Sequence, residues 1–174
     1  QYLQNVVGLE SFSAGLILLP GSIMMGLLGP LMGRIYDARG TRPLLIPGTI
    51  LVSAALFFYS TVGEQTQWWV LVIVQAVMSV GLAMSFTPLF SASLGSLERP
   101  LYSHGSAVLN TMQQVAGAAC VAVLLVTYSA ILHSGEAEGL STAVAGAPGA
   151  RMAFLIAAII SLAAVALSAF VRKP

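Results

Sequence analysis

Apolar residues run along this chain in long, continuous blocks separated by short polar stretches. A helix needs about 20 mostly apolar residues to cross roughly 30 Å of hydrocarbon. Five blocks meet that length, at about 11–33, 44–62, 67–91, 106–131 and 152–171, and Gln1 to Val7 reads as the end of an earlier span. The blocks are too long for the buried helices of a soluble core. The pattern predicts an all-α membrane protein, a polytopic bundle of transmembrane helices with the lipid bilayer as its solvent.

Composition agrees. Of 174 residues, 57% are hydrophobic and 7% charged, against about 25% charged in a soluble domain. The seven basic residues are scattered and the net charge is +1, which excludes the clustered basic footprint of a nucleic-acid binder. No Asp, Glu, Lys or Arg lies in mid-span, as expected where such a charge costs about 2.5 to 3.5 kcal/mol. Alternating the loops puts Arg34, Arg39, Arg42, Arg99, Arg172 and Lys173 on one side and Arg151 on the other. Basic residues favour the cytoplasm, so the C-terminus is expected inside. Trp68 and Trp69 then open the third span at the outer headgroups, and the outer stretch 132–151 is expected to be a mobile loop. The lone Cys120, within an apolar run, reads as a small packing residue. The first residues lack a basic segment followed by an apolar one and a cleavage site, so no signal peptide is expected, and the chain reads as a fragment.

Polar residues divide the spans into two kinds. Those at 44–62 and 152–171 carry few polar side chains, Thr49, Ser53, Ser60, Ser161 and Ser168 among them, and read as peripheral helices with lipid around much of their circumference. The span at 67–91 places Gln75, Ser79 and Phe86 at i, i+4 and i+11, with Met78 and Ser85 close by, and the span at 106–131 places Asn110, Gln113, Gln114 and Gly117 on one side. Amides in hydrocarbon need partners, so these two faces are expected to meet protein or water. Such amides serve equally as helix-to-helix hydrogen bonds or as the lining of a pathway. Gly21, Gly26, Gly29 and Gly33 with Pro20 and Pro30 predict a kinked, closely packed first span.

The turn between the first two full spans reads Gly33-Arg34-Ile35-Tyr36-Asp37-Ala38-Arg39-Gly40-Thr41-Arg42-Pro43. Gly40 can adopt a positive φ for the reversal, Pro43 suits the first turn of the next helix, and Asp37 can accept from an arginine or from helix N-terminal amides. Anchoring by basic residues explains the arginines but not the Gly-x-x-x-Asp-x-x-Gly spacing. Gly33, Asp37, Arg39, Gly40 and Arg42 are therefore the candidate conformational switch.

These residues resemble the motif repeated in both halves of major facilitator transporters, matching at Gly33, Asp37, Gly40 and Arg42 and departing at Ala38 and Thr41, where that family has basic residues. The stretches from Tyr2 to Leu9 and from Ala14 to Gly21 resemble the entry to the C-terminal domain of the fourteen-span drug:proton antiporters. Phe86 to Phe90, Leu101 to Ala107 and Gln113 to Ala118 are similar to the lincomycin-resistance-like branch of that family. The resemblance implies the C-terminal part of a multidrug efflux transporter in a bacterial-type plasma membrane, exchanging drug for protons by alternating access. The five complete spans would be the tenth to fourteenth, and an N-terminal half of the same transporter would be the partner. In that fold the 67–91 span lines the central cavity and the spans at 11–33 and 106–131 flank the interface between halves. The substrate pathway candidates are then Gln75, Met78, Ser79, Phe86, Asn110, Gln113 and Gln114. With Met24 and Met25 they suit small amphipathic organic molecules.

No cofactor or metal is expected. Ser103, His104 and Ser106 are the one grouping with a nucleophile and a base, and they lack a Gly-x-Ser-x-Gly setting, so an enzyme is not expected. An uptake or uniport carrier of the same fold, and a membrane protein that merely assembles with others, remain as alternatives.

Overall fold

The computed structural model describes residues 11–61 and 66–171. The expected tail at Gln1 to Val7 lies outside them, as do Arg172 and Lys173. Among the described residues the chain forms α1 (Ser11–Arg39), α2 (Arg42–Thr61), α3 (Trp68–Gly95), a 3₁₀ turn (Arg99–Leu101), α4 (Tyr102–Ala137) and α5 (Thr142–Ser168). Helices are the natural outcome for such blocks, because hydrocarbon offers no partner to a free backbone N–H or C=O. The windows in α2, α3, α4 and α5 are long and apolar enough to cross a membrane. At 1.5 Å per residue the 36 residues of α4 reach about 54 Å, well beyond the roughly 30 Å hydrocarbon layer.

Two expected loops are mostly helix. α1 continues through Gly33, Asp37 and Arg39, and the reversal is confined to Gly40, at φ 83°, and Thr41. α4 continues to Ala137, with a short turn around Gly139 at φ 84° before α5 begins at Thr142, so the mobile outer loop expected over 132–151 is not what forms. In both places one glycine suffices to turn the chain, and the flanking charges can stay helical once they lie beyond the hydrocarbon. Ser103, His104 and Ser106 lie in the first turns of α4.

The helices pack in the order α1, α3, α2, α5, α4: α3 lies between α1 and α2, α2 between α3 and α5, and α5 between α2 and α4. Joined by a two-residue break, α1 and α2 meet little beyond it. Glycines permit the closest approaches. An added Cβ at Gly48 would fall 2.9 Å from the Gly81 carbonyl oxygen, and one at Gly81 would fall 2.8 Å from the Gly48 carbonyl oxygen, so the backbones of α2 and α3 touch. At Gly21 an added Cβ would meet side-chain atoms of α3, whereas Gly15, Gly26, Gly29 and Gly33 have nothing within 4 Å, so close packing of α1 is confined to one of its five glycines.

The division into peripheral and interior helices also changes. α2 is the most covered of the four candidate spans and α4 the least. The hydroxyls of α2 and α5 do not face lipid: Ser161 Oγ lies 2.7 Å from Ser53 Oγ, and Thr49 Oγ1 lies 3.5 Å from Ser168 Oγ. Residues Thr49 and Ser53, one turn apart, meet Ser161 and Ser168, two turns apart, in a single seam. Cys120 is exposed rather than packed.

Candidate functional site

The junction of α1 and α2 gathers the switch residues. Asp37 and Arg39 are exposed in the last turn of α1, and Gly40 N–H donates to the Tyr36 carbonyl at 2.8 Å, closing the helix. Thr41 caps α2, its carbonyl accepting from Leu45 N–H at 2.9 Å, while its own side chain is buried with no partner for Oγ1 among the described residues. Arg42 reaches the end of α5. Its Nη2 donates to the Ala169 carbonyl at 3.0 Å and its Nε to the Val171 carbonyl at 3.3 Å. A guanidinium thus caps the C-terminal end of α5, where the helix dipole presents negative charge. The same contact puts the junction and the end of α5 at one end of the bundle.

Higher along α3 a second constellation forms. Gln75 is half-buried, and its Oε1 lies 3.2 Å from the Tyr59 hydroxyl of α2. One turn on, Ser79 is buried against α1, and a Cβ placed on Gly21 would meet Ser79 Oγ at 2.5 Å and Gln75 Cγ at 3.2 Å. Met78 packs on the cluster of Ala55, Tyr59, Leu71 and Val74. The structure therefore brings Gln75, Met78 and Ser79 together where α1, α2 and α3 converge. Phe86 is elsewhere, in an apolar cleft of about 170 Å³ among α2, α3 and α5, lined also by Val52, Leu82, Leu89 and Ala164.

Asn110, Gln113 and Gln114 are exposed on α4, which meets α3 only slightly. α4 packs on α5 through its C-terminal half, where a Cβ at Gly149 would fall 2.9 Å from the Tyr128 carbonyl oxygen. The two amide faces therefore do not converge among the described residues. Met24 and Met25 are exposed on α1. Ser106 Oγ donates to the Ser103 carbonyl, an ordinary intrahelical bond that gives neither serine a base. No group of three metal-ligating side chains exists among the described residues.

Tyr59 was not singled out by the sequence, since a tyrosine near the end of an apolar span looks like interfacial anchoring. Its partner Gln75 sits on another helix, and nothing in the spacing of either one pairs them. The α2–α5 seam did leave a signal, four hydroxyls at helical spacing in two otherwise apolar spans.

Comparison with known proteins bears on this geometry. The Major Facilitator Superfamily profile matches residues 1–121, which include α1 to α3, the junction and the amides of α4. The chain belongs to the major facilitator superfamily. Membership makes it an integral membrane protein of a transporter family. It is 37% identical to "Lincomycin resistance protein LmrB" of Listeria monocytogenes over 99% of this chain and 38% of that protein. It is 36% identical to the Bacillus subtilis protein of the same name over 81% of this chain and 29% of that protein. It is 28% identical to "Multidrug resistance protein B homolog" of Mycobacterium tuberculosis over 73% of this chain and 24% of that protein. The chain thus spans about two fifths of the length of the Listeria relative. No solved structure matches it.

Proposed function

We propose that this chain is the C-terminal part of a multidrug efflux transporter that exchanges drug for protons by alternating access, with the α1–α2 junction and the C-terminus in the cytoplasm. The observation that carries the reading is the 37% identity to a lincomycin resistance protein across 99% of the chain. Its geometry fits. Two halves that rock about a central site need rigid groups of helices, and α2 is tied to α3 by glycine contacts and to α5 by hydroxyls and by Arg42. Asp37 stands exposed at the rim of that group, placed to make and break contacts with the N-terminal half as the two move.

The pathway in this reading passes the half-buried Gln75, and the exposed amides of α4 look toward the other half. With no carboxylate in mid-span here, the proton-binding group belongs to the part of the transporter outside this chain. The test is Asp37→Asn in the complete transporter, expressed in a drug-sensitive host. Resistance to lincomycin should fall while the protein still reaches the membrane at wild-type level. Unchanged resistance would remove the switch role of the junction.

A further inference from the structure

Tyr59 is held on both sides of its ring. Phe154 of α5 stacks on it with centroids 5.0 Å apart and planes at 23°, and Ala55, Leu71 and Val74 enclose the rest, leaving 8% of the residue exposed. Its hydroxyl is aimed at α3, 3.3 Å from the Leu71 carbonyl oxygen and 3.2 Å from Gln75 Oε1. A phenol has one proton to give. The Leu71 carbonyl already serves the helical N–H four residues on, whereas the Gln75 side-chain oxygen has no helical donor of its own. In a medium of low dielectric the proton is worth most where an acceptor would otherwise be bare.

With Oε1 taken by Tyr59, the carboxamide is fixed in one orientation and its NH₂ is the end left over. Gly21 of α1 supplies no side chain, which lets α1 pack so closely on α3 that an added Cβ would fall 3.2 Å from Gln75 Cγ and overlap Ser79 Oγ at 2.5 Å. Ser79 is buried in that contact, whereas Gln75 is only half-buried, so the carboxamide with its tethered oxygen keeps part of its surface open.

We propose that Tyr59 is a specificity-determining positioning residue: by holding Gln75 Oε1 it presents the Gln75 NH₂ to the pathway, which then selects substrates rich in hydrogen-bond acceptors over acceptor-poor organic cations. The inference rests on the reading of Gln75 as a pathway residue. Without the tether, the amide turns freely and offers its oxygen as readily as its NH₂, and the preference disappears.

The test compares lincomycin, rich in hydroxyl and carbonyl oxygens, with ethidium, a cation poor in acceptors, as substrates for uptake into everted membrane vesicles carrying the complete transporter. Tyr59→Phe keeps the ring and its stack on Phe154 and removes only the hydroxyl. It should raise KM for lincomycin about three- to tenfold with kcat preserved, the size of one neutral hydrogen bond, and leave ethidium unchanged within about twofold. Gln75→Leu should do the same, and the double variant should be no worse than Gln75→Leu alone. If Gln75→Leu impairs lincomycin while Tyr59→Phe does nothing, or acts equally on both drugs, the positioning role is overturned and the pathway reading of Gln75 survives. If Gln75→Leu leaves both drugs unaffected, the pathway reading falls and takes this proposal with it.

Discussion

Replacing Gly48 with alanine probes the closest contact in the bundle. The new Cβ would lie 2.7 Å from Ser85 Oγ, 2.8 Å from Met84 Cβ and 2.9 Å from the Gly81 carbonyl oxygen, against the 3.4 to 4 Å of ordinary contact. One of the three is main chain and another is a Cβ, so no rotamer change relieves the overlap, and α2 must move away from α3 by roughly 0.5 to 1 Å. Overpacking of this kind costs about 1 to 3 kcal/mol, roughly 5- to 150-fold in the folding equilibrium. Gly81→Ala meets the same obstacle from the other side, with Gly48 O at 2.8 Å and Val52 N at 3.0 Å. Once the helices have parted for one methyl, the second finds room, so the double variant should cost less than the sum of the singles by at least about 0.5 kcal/mol. Gly117→Ala is the control. Nothing lies within 4 Å of it, and helix propensity favours alanine by up to about 1 kcal/mol. Thermal unfolding of the chain in detergent micelles, followed by circular dichroism, should give a lower midpoint for Gly48→Ala and an equal or higher one for Gly117→Ala. Equal midpoints for the two variants would refute the close α2–α3 contact and the packing order built on it.

Three further outcomes follow from the same geometry. In the α2–α5 seam, a double-mutant cycle on Ser53→Ala and Ser161→Ala should give a coupling of about 0.6 kcal/mol, and at most about 1.7, the range for hydroxyl bonds between membrane helices; zero coupling would separate the two hydroxyls. Arg42→Gln removes the cation from the end of α5, so hydrogen exchange at the amides of 165–170 should quicken, and Arg42→Lys should restore part of the protection; unchanged exchange would mean that the guanidinium does not cap that end. In a Cys120→Ala background of the complete transporter, cysteines at positions 75, 110, 113 and 114 should react with a polar thiol reagent, and substrate should slow the reaction at 75. Uniform protection would leave all four amides as contacts between helices.

The sequence made the class of this protein plain, because a long apolar run has few ways to satisfy its backbone other than as a membrane helix. Gly40 was equally legible: a reversal squeezed between two long helices calls for a positive φ, and the chain supplies it there. Partners were not legible. The spacing of Gln75 and Ser79 showed that a face of α3 is polar and the glycines of α1 predicted close packing, yet nothing in the sequence paired Tyr59 or Gly21 with that face. Thr49, Ser53, Ser161 and Ser168 were visible as the sparse polarity of two oily helices, but scarcity of polar groups reads the same whether they face lipid or each other. Arg42 was visible as one basic residue of the junction, while its acceptors, 127 and 129 residues away, are main-chain oxygens with no side-chain signature. Helix extent at the charged ends escaped for a related reason, since charge marks the edge of the hydrocarbon rather than the end of a helix.

The most direct trial of the account is active transport by the complete protein in everted membrane vesicles, where the cytoplasmic face is outward. Export in the cell becomes uptake in the vesicle, so lincomycin should accumulate inside when a proton gradient is imposed, stop accumulating when an uncoupler is added, and accumulate more slowly in Asp37→Asn. Accumulation that ignores the uncoupler, or drug that moves only down its own gradient, would contradict proton-coupled efflux and leave a passive carrier in its place.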